Sequence, residues 1–227
     1  MKIFPDLARV RGHTIWTKQL VPGSVVVDAG AHQGEFSREM KERFGCVCWP
    51  VEANPRLAAR LRDDGFANTI PAALGASDGK TCFIFRDNSE SSSVIPREMD
   101  TLADAVEVAT ITLPTLMQRA GLAWIDLLKL DIEGAEFDLL ESTPDYVLRS
   151  IGQITVEFHD FFPEFRGRGL FNRVRERLAA LGFACWPMAF RTNGDVLVLN
   201  LRSSGLGAFR CWKHAVFGRW VMKLRGE

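Results

Sequence analysis

The stretch from Val25 to Phe36, VVVDAGAHQGEF, constrains the fold more than any other part of the sequence. Its short apolar run predicts a buried strand of the kind found in parallel sheets that are covered on both faces. Gly30 and Gly34 predict a turn that leads into a helix. An α/β nucleotide-binding domain begins with this strand, turn and helix, so we predict an α/β fold with a doubly wound, mostly parallel sheet.

Asp28 distinguishes this turn from one that binds a dinucleotide. The dinucleotide pattern G-x-G-x-x-G lets a pyrophosphate approach backbone amides at a helix N-terminus, whereas the spacing here is D-x-G-x-x-x-G. A carboxylate would repel a pyrophosphate and would suit a cofactor with positive charge and no phosphate, such as S-adenosylmethionine. The alternative is that Asp28 only caps the following helix.

A second carboxylate supports the cofactor interpretation. The apolar run Val47 to Val51 ends in Glu52, and a carboxylate at the end of the second strand is where such folds bind ribose hydroxyls. Asn54 and Pro55 then predict the start of a helix. Ribose binding is therefore favoured over a simple loop charge at Glu52.

Composition indicates one domain over residues 1–227 in a reducing compartment. The chain has 47% hydrophobic residues and no net charge, so no overall field favours nucleic acid as a partner. Its five cysteines form no C-x-x-C pair and predict free thiols. Because no signal peptide or membrane-spanning run is evident, we expect a cytoplasmic location.

The chain divides into a lead-in, a core and a tail. Residues 1–22 predict one or two short helices, and residues 23–201 the core sheet and its helices. Within the core, residues 75–113 predict an inserted hairpin that turns at Asp78 and Gly79. The polar loop Asp87 to Val94 is either solvated or a mobile cover over the site.

Two further strands end in polar residues that point toward a common crevice. Asp131 follows the strand Trp124 to Leu130, and a carboxylate at the carboxyl end of a central strand lies where such sheets bind ligands. The strand Ile151 to Phe158 carries Glu157 at its tip, with His159 just beyond. A lone histidine is usually structural, but here the neighbouring strand end favours an active-site role.

The end of the chain predicts an antiparallel hairpin and then a basic amphipathic segment. The last two strands are joined through Asn193 and Gly194. A parallel sheet that closes with an antiparallel strand is the architecture of Rossmann-like methyltransferases, which agrees with the cofactor inferred from Asp28. Residues 202–227 place an apolar face beside basic residues. Packing on the body or a second subunit is favoured over peripheral contact of residues 211–224 with the inner membrane surface.

Two motifs together resemble the FkbM-type methyltransferase family. They are the opening turn from Val27 to Gly34, VDAGAHQG, and the more specific LKLDIEGAE from Leu128 to Glu136. The resemblance implies a class I fold and methyl transfer from S-adenosylmethionine to a hydroxyl oxygen, in that family often on sugars of glycans or on natural products. Its partner would then be a small-molecule or glycan acceptor.

The resemblance also implies roles for individual residues at the cofactor site. Those expected to hold the methionine part are Asp28, Ala29, Gly30 and Gly34, with Asp131 nearby. Glu52 would bind the ribose, and Ala73 and Leu74 would border the adenine. Many class I enzymes have an acidic residue at that last point, and this chain does not.

The chemistry of methylating an alcohol requires removal of the acceptor's proton. The favoured interpretation makes His159 the base, with Asp131 and Glu133 orienting groups and Glu157 holding the imidazole, and it uses no metal. The competing interpretation makes Asp131, Glu133 or Glu157, with His159, ligands of a divalent ion.

Three other functions stay open as alternatives. They are an NAD(P)-dependent oxidoreductase, a non-catalytic adenosylmethionine-binding protein and, least favoured, a nucleic-acid methyltransferase. The sequence identifies neither the acceptor nor the oligomeric state.

Overall fold

The computed structural model describes residues 6–84, 105–160, 169–189 and 192–205. The strands are β1 (Leu7–Val10), β2 (His13–Trp16), β3 (Val25–Ala29), β4 (Val47–Val51), β5 (Ala73–Leu74), β6 (Gly79–Ile84), β7 (Ala105–Ile111), β8 (Ile125–Leu130), β9 (Ile151–Val156), β10 (Phe183–Pro187) and β11 (Val196–Asn200). The helices are α1 (Glu35–Phe44), α2 (Pro55–Asp63), α3 (Leu113–Ala120), α4 (Glu136–Ser142), α5 (Asp145–Arg149), α6 (Leu170–Ala180) and α7 (Leu201–Ser204), with a short 3-10 helix at Thr17–Gln19.

The main sheet has six strands in the order β10-β11-β9-β8-β3-β4. Strand β3 pairs in parallel with both β4 and β8, and β8 pairs in parallel with β9. Strand β11 runs antiparallel to both of its neighbours, β9 and β10. The predicted fold class, a doubly wound, mostly parallel sheet with an antiparallel hairpin strand near its end, is confirmed.

Both faces of this sheet are covered, which explains the nearly continuous apolar strands. Val27 and Leu128 belong to one buried cluster, which includes residues of α3, α4 and α6. Val26 and Leu127, their neighbours in sequence, belong to the other cluster, which includes residues of α1 and α2. Successive side chains of a strand point to opposite faces of the sheet. A strand between two apolar layers therefore needs apolar residues at both odd and even positions.

Within the lead-in predicted to be helical, residues 7–16 instead form an antiparallel hairpin of β1 and β2. Its two turn residues, Arg11 and Gly12, have φ angles of 48° and 91°. Positive φ at both central positions is the requirement of a type I′ hairpin turn, where Asn-Gly is the usual signal. Arginine in the first position concealed that signal in the sequence.

The hairpin docks on the main sheet through buried side-chain hydrogen bonds. The backbone N–H and the hydroxyl of Thr14 donate to the two carboxylate oxygens of Asp195, over 2.9 and 2.7 Å. The side chain of Gln153 accepts from the backbone N–H of Trp16 over 2.8 Å and donates to its carbonyl over 2.9 Å. These bonds fix β2 against β9 and β11.

The inserted segment forms a second sheet of three strands in the order β5-β7-β6. Strands β6 and β7 are antiparallel partners, as an inserted hairpin requires, but Asp78 and Gly79 do not join paired strands, because β5 pairs in parallel with β7. Asp78 instead accepts hydrogen bonds from Thr112 and Thr115 at the start of α3. Strand β5 has only two residues, and an isolated bridge between Ile70 and Val51 precedes it.

Two predictions lie outside the described residues. They concern the loop Asp87 to Val94 and the tail at residues 206–227, including its membrane contact. Within the described residues, no helix has both the length and the apolar character needed to cross a bilayer.

Candidate active site

Two glycines shape the turn between β3 and α1. Gly30 has a φ of +75°, and a Cβ at this position would lie 1.9 Å from the backbone oxygen of Asp131. Gly34 also has a φ of +75°, and its Cβ would lie 2.5 Å from a methyl group of Leu61. A side chain at Gly30 is therefore excluded by backbone, and its absence lets the turn pack against the end of β8.

Glu52 holds the same turn from the end of β4. One carboxylate oxygen accepts from the backbone N–H of His32 over 2.7 Å, and the other accepts from the backbone N–H of Asn54 over 2.8 Å. Burial raises the pKa of Glu52, and the two backbone hydrogen bonds oppose that rise. A carboxylate oxygen can accept more than one hydrogen bond, so the fixed side chain of Glu52 can also accept hydrogen bonds from ligand hydroxyls.

An open cavity of about 700 Å³, counted out to the solvent at its mouth, lies where β3, β4 and β8 end. Its lining residues are Gly30, His32, Val51, Glu52, Ala53, Asn54, Leu57, Ala72, Ala73, Leu74, Asp131, Ile132 and Glu133. The structure thus brings together six of the residues predicted from sequence, namely Gly30, Glu52, Ala73, Leu74, Asp131 and Glu133. Ala29 and Gly34 support the turn without lining the cavity.

The cavity has an apolar wall and an acidic rim. Val51, Leu57, Ala72 and Leu74 are among the apolar lining residues, while the charged side chains are carboxylates. Among the described residues, no lysine or arginine lines it. A surface of this kind accommodates a flat apolar ring and a cationic group better than a phosphate.

His32 is a cavity residue that sequence reasoning did not assign. It adopts a positive φ of 50°, and its Nε2 atom is buried with no hydrogen-bond partner among the described residues. Its position inside the glycine turn was the only signal in the sequence. A buried nitrogen without a partner at a cavity wall is suited to a ligand hydrogen bond.

The carboxylate of Asp28 does not fit the predicted direct contact with a cationic cofactor. It is fully buried, accepts a hydrogen bond from the Ser37 hydroxyl over 2.7 Å and lies 3.3 Å from Nζ of Lys129. The ammonium group of Lys129, rather than a ligand, balances its charge.

Lys129 joins this buried pair to the turn and to the cavity. Its Nζ donates to the carbonyl oxygen of Gly30 over 2.8 Å and lies 3.5 Å from Asp131. Burial alone would lower the pKa of Lys129, but the negative charges of Asp28 and Asp131 outweigh that effect and raise it. The only sequence signal was a lysine within an apolar strand.

Asp131 lies at the centre of the polar residues beside the cavity. One carboxylate oxygen, Oδ2, faces Lys129 Nζ and His13 Nε2, which lies 3.8 Å away. The other, Oδ1, lies 3.9 Å from His159 Nε2. Burial would raise the pKa of Asp131, but the positive charge of Lys129 and the contact with His13 outweigh it, so the pKa is lowered. Asp131 therefore stays ionised at neutral pH.

His159 reaches the predicted position, but its supporting carboxylate is Glu136 rather than Glu157. Its Nδ1 lies 3.0 Å from Oε1 of Glu136, a fully buried side chain that also accepts from the backbone N–H groups of Ile132 and Gly134. Burial would lower the pKa of His159, but the hydrogen bond and charge of Glu136 raise it to about 9. Such an imidazole is protonated at neutral pH, which does not fit the predicted role of base.

Glu157 lies beside Asp131 and near His13, a residue to which the sequence analysis assigned no role. Burial raises the pKa of Glu157, and the charge of Asp131 adds to this effect. Ligand atoms of His13, Asp131 and Glu157 all lie within 4.8 Å of one another. His13 was missed because the lead-in was expected to be helical, whereas the docked hairpin delivers it to the strand ends.

Comparison with known protein families identifies the family of this chain. The family model described as the methyltransferase FkbM domain matches residues 28–185, which is most of the chain. The chain belongs to the FkbM methyltransferase family. The match includes the cavity, Asp131 and His159, and it excludes the β1-β2 hairpin with His13. No curated protein matches the chain.

Solved structures with related folds are distant from this FkbM methyltransferase. A fibrillarin pre-rRNA processing protein of Methanococcus jannaschii is 13% identical, with 79% of this chain and 67% of that chain covered and a TM-score of 0.45. A precorrin-6y C5,15-methyltransferase of Geobacter metallireducens is 15% identical, with 80% of each chain covered and a TM-score of 0.39. Phosphoethanolamine N-methyltransferase 2 of Haemonchus contortus, in complex with S-adenosyl-L-methionine, is 10% identical, with 74% and 36% covered and a TM-score of 0.37.

Membership of the FkbM family makes S-adenosylmethionine-dependent methyl transfer the activity of this protein. The residues present fit that donor. Glu52 offers fixed carboxylate oxygens for hydroxyls, the wall at Leu57 and Leu74 is apolar, and the acidic rim suits a sulfonium and an ammonium group.

Proposed function

We propose that this FkbM methyltransferase transfers the methyl group to a hydroxyl oxygen of a sugar, glycan or natural-product acceptor. The observation that carries the proposal is the polar cluster around Asp131, which adjoins the cavity but extends beyond it to His13, His159 and Glu157. Such a cluster at the edge of the donor cavity suits an acceptor that presents hydroxyl groups.

The charge of the cluster favours an acceptor without phosphate or carboxylate groups. Asp131, Glu133 and Glu157 lie beside the cavity, and the nearby cations are already engaged, Lys129 with Asp28 and Asp131 and His159 with Glu136. An acidic surface repels anions and accepts hydrogen bonds from neutral hydroxyl groups. A polyhydroxylated, uncharged acceptor therefore fits better than a nucleic acid, whose phosphates would be repelled.

The residues of the chain have separate roles in this proposal. S-adenosylmethionine supplies an electrophilic methyl group when bound. Glu52 binds the donor's ribose hydroxyls, because its two oxygens are fixed by the amides of His32 and Asn54. Asp131 accepts a hydrogen bond from the acceptor hydroxyl, because its carboxylate is ionised and fixed beside the cavity. Positioning of this kind supplies a large part of the rate of a displacement reaction.

An oxidoreductase is a weaker candidate for this cavity. A dinucleotide carries a pyrophosphate, and the described lining residues offer carboxylates where a cation would be needed. A non-catalytic adenosylmethionine-binding protein would have the same cavity, but its function would not depend on Asp131.

A screen of hydroxylated acceptors with a labelled methyl donor tests the proposal. We expect an O-methyl product, identified by mass spectrometry and NMR, from at least one neutral sugar or polyol acceptor. Asp131→Asn should lower kcat by about 100-fold or more while S-adenosylhomocysteine still binds. Methylation of nitrogen, carbon or nucleic acid only, or an undiminished kcat in Asp131→Asn, would contradict the proposal.

A further inference from the structure

We infer that Asp131, Glu133 and His159 form a binding site for one divalent metal ion at the edge of the donor cavity. One ligand atom from each residue lies within 4.8 Å of the other two. The set combines two carboxylates with an imidazole that would release its Nε2 proton on binding the ion, and these are ligands shared by Mn²⁺, Fe²⁺ and Zn²⁺. The consequence for catalysis rests on the proposed function, whereas the binding of the ion does not.

The distances within the set suit ligands around an ion better than direct hydrogen bonds. His159 Nε2 lies 3.7 Å from Oε2 of Glu133 and 3.9 Å from Oδ1 of Asp131. Both distances are too long for hydrogen bonds. Ligands that share an ion at about 2.2 Å lie about 3.1–3.6 Å apart, so both distances from His159 exceed this spacing by only a few tenths of an ångström.

Glu136 orients His159 for this role. Its carboxylate is fully buried and lies 3.0 Å from Nδ1 of the imidazole. This contact turns Nε2 toward Asp131 and Glu133. Histidines that bind metals commonly donate their second ring N–H to a carboxylate, which fixes the tautomer and the ring orientation. Two backbone N–H groups, from Ile132 and Gly134, hold the carboxylate of Glu136 itself.

Lys129 contacts one carboxylate oxygen of Asp131, and the ion would bind the other. Its ammonium group and Nε2 of His13 both face Oδ2, whereas the set described above uses Oδ1. The ion and the lysine would therefore contact different oxygens of the carboxylate.

The ion would activate the acceptor hydroxyl. A hydroxyl bound to a divalent cation loses its proton to water more readily, since the cation stabilises the alkoxide. The alkoxide oxygen then forms a bond to the methyl carbon as the carbon–sulfur bond breaks, and the bonding pair leaves with sulfur in S-adenosylhomocysteine. This step needs no histidine base, which agrees with the engagement of His159 by Glu136.

Titration of the metal-stripped protein with Mn²⁺, followed by electron paramagnetic resonance of the free ion, tests the site. We expect one bound Mn²⁺ per chain without any donor or acceptor. Glu133→Gln should weaken the binding by about tenfold or more. Glu141→Gln, the matched control, removes an exposed carboxylate that pairs with Arg173, and its affinity should equal that of the native protein.

Three results would overturn the inference. They are no binding of Mn²⁺ at millimolar concentration, equal affinity in native protein and Glu133→Gln, or binding that His13→Ala abolishes and Glu133→Gln retains. The last result would locate the ion at His13, Asp131 and Glu157 instead. A thermal melt of each variant verifies that it is folded.

Activity measurements separate this inference from the proposed function. We expect EDTA to abolish methyl transfer and Mn²⁺ to restore it. Transfer to a hydroxyl that continues unchanged in EDTA would refute the metal site and leave the proposed function intact. Binding of Mn²⁺ without transfer to any hydroxylated acceptor would do the reverse.

Discussion

At the residue scale, the buried pair of Asp28 and Lys129 holds the catalytic end of the sheet together. The two side chains connect β3 to β8, and the same lysine holds the carbonyl of Gly30 and approaches Asp131. A buried ion pair adds little net stability over apolar residues, but the loss of one partner leaves an uncompensated charge. The pair therefore acts by fixing the turn and the orientation of Asp131.

Replacing Lys129 alone should destabilise the folded protein severely. We expect Lys129→Met to lower the free energy of unfolding by about 3–5 kcal/mol, because Asp28 would stay buried without its partner. The double variant Asp28→Asn, Lys129→Met should recover part of that loss. Urea denaturation measures both, with Lys80→Met as a control at an exposed lysine. An equal loss in the single and double variants would contradict the assigned pairing.

At the element scale, the β1-β2 hairpin completes the site that the sheet begins. It carries His13 to within 3.8 Å of Asp131, and it is held by Asp195 of the loop before β11 and by Gln153 of β9. A hairpin outside the family match therefore contributes to the cluster where we propose that the acceptor binds.

Replacing Asp195 should weaken the attachment of this hairpin to the main sheet, and the effect should be measurable. We expect Asp195→Ala to cost about 1–3 kcal/mol, because the N–H and hydroxyl of Thr14 would lose their buried acceptor. Hydrogen exchange at residues 7–16 should accelerate more than exchange in β3 or β8. Asp63→Ala, an exposed position at the end of α2, serves as the control. Unchanged exchange in the hairpin would show that these bonds do not hold it.

The sequence analysis located those elements that depend only on the residues of the element itself and its immediate neighbours in sequence. Glu52 and Asp131 follow buried strands, and the carboxyl ends of parallel strands share one edge of the sheet, so their meeting at one cavity was predictable. The positions of His13, Lys129 and Glu136 depend on contacts between distant segments. The hairpin turn at Arg11 lacked its usual asparagine. Asp28 pairs with Lys129 on β8, which is the neighbour of β3 in the sheet but lies far from it in sequence.

At the scale of the whole molecule, the two apolar layers determine which thiols react. Burial raises the pKa of Cys46 to about 11 and those of Cys48 and Cys185 to about 12. Cys82 is exposed. Since the thiolate is the reactive form, the thiols of Cys46, Cys48 and Cys185 should be nearly inert in the folded protein.

Labelling with iodoacetamide at pH 8, followed by peptide mass spectrometry, measures this difference. We expect rapid modification of Cys82 and little modification of Cys46, Cys48 or Cys185 until the protein is unfolded in urea. The urea-unfolded sample provides the control, since all of these thiols should react there. Modification of Cys48 as fast as that of Cys82 would contradict the packing of α1 against β4.

The central claim is that the cavity at Glu52 binds S-adenosylmethionine, and calorimetric titration with S-adenosylhomocysteine tests it most directly. We predict binding of one ligand per chain, no heat with NAD⁺, an affinity lowered about tenfold or more in Glu52→Gln, and native affinity in Glu107→Gln, an exposed glutamate on β7. Binding of NAD⁺ in place of S-adenosylhomocysteine, or an unchanged affinity in Glu52→Gln, would contradict the account.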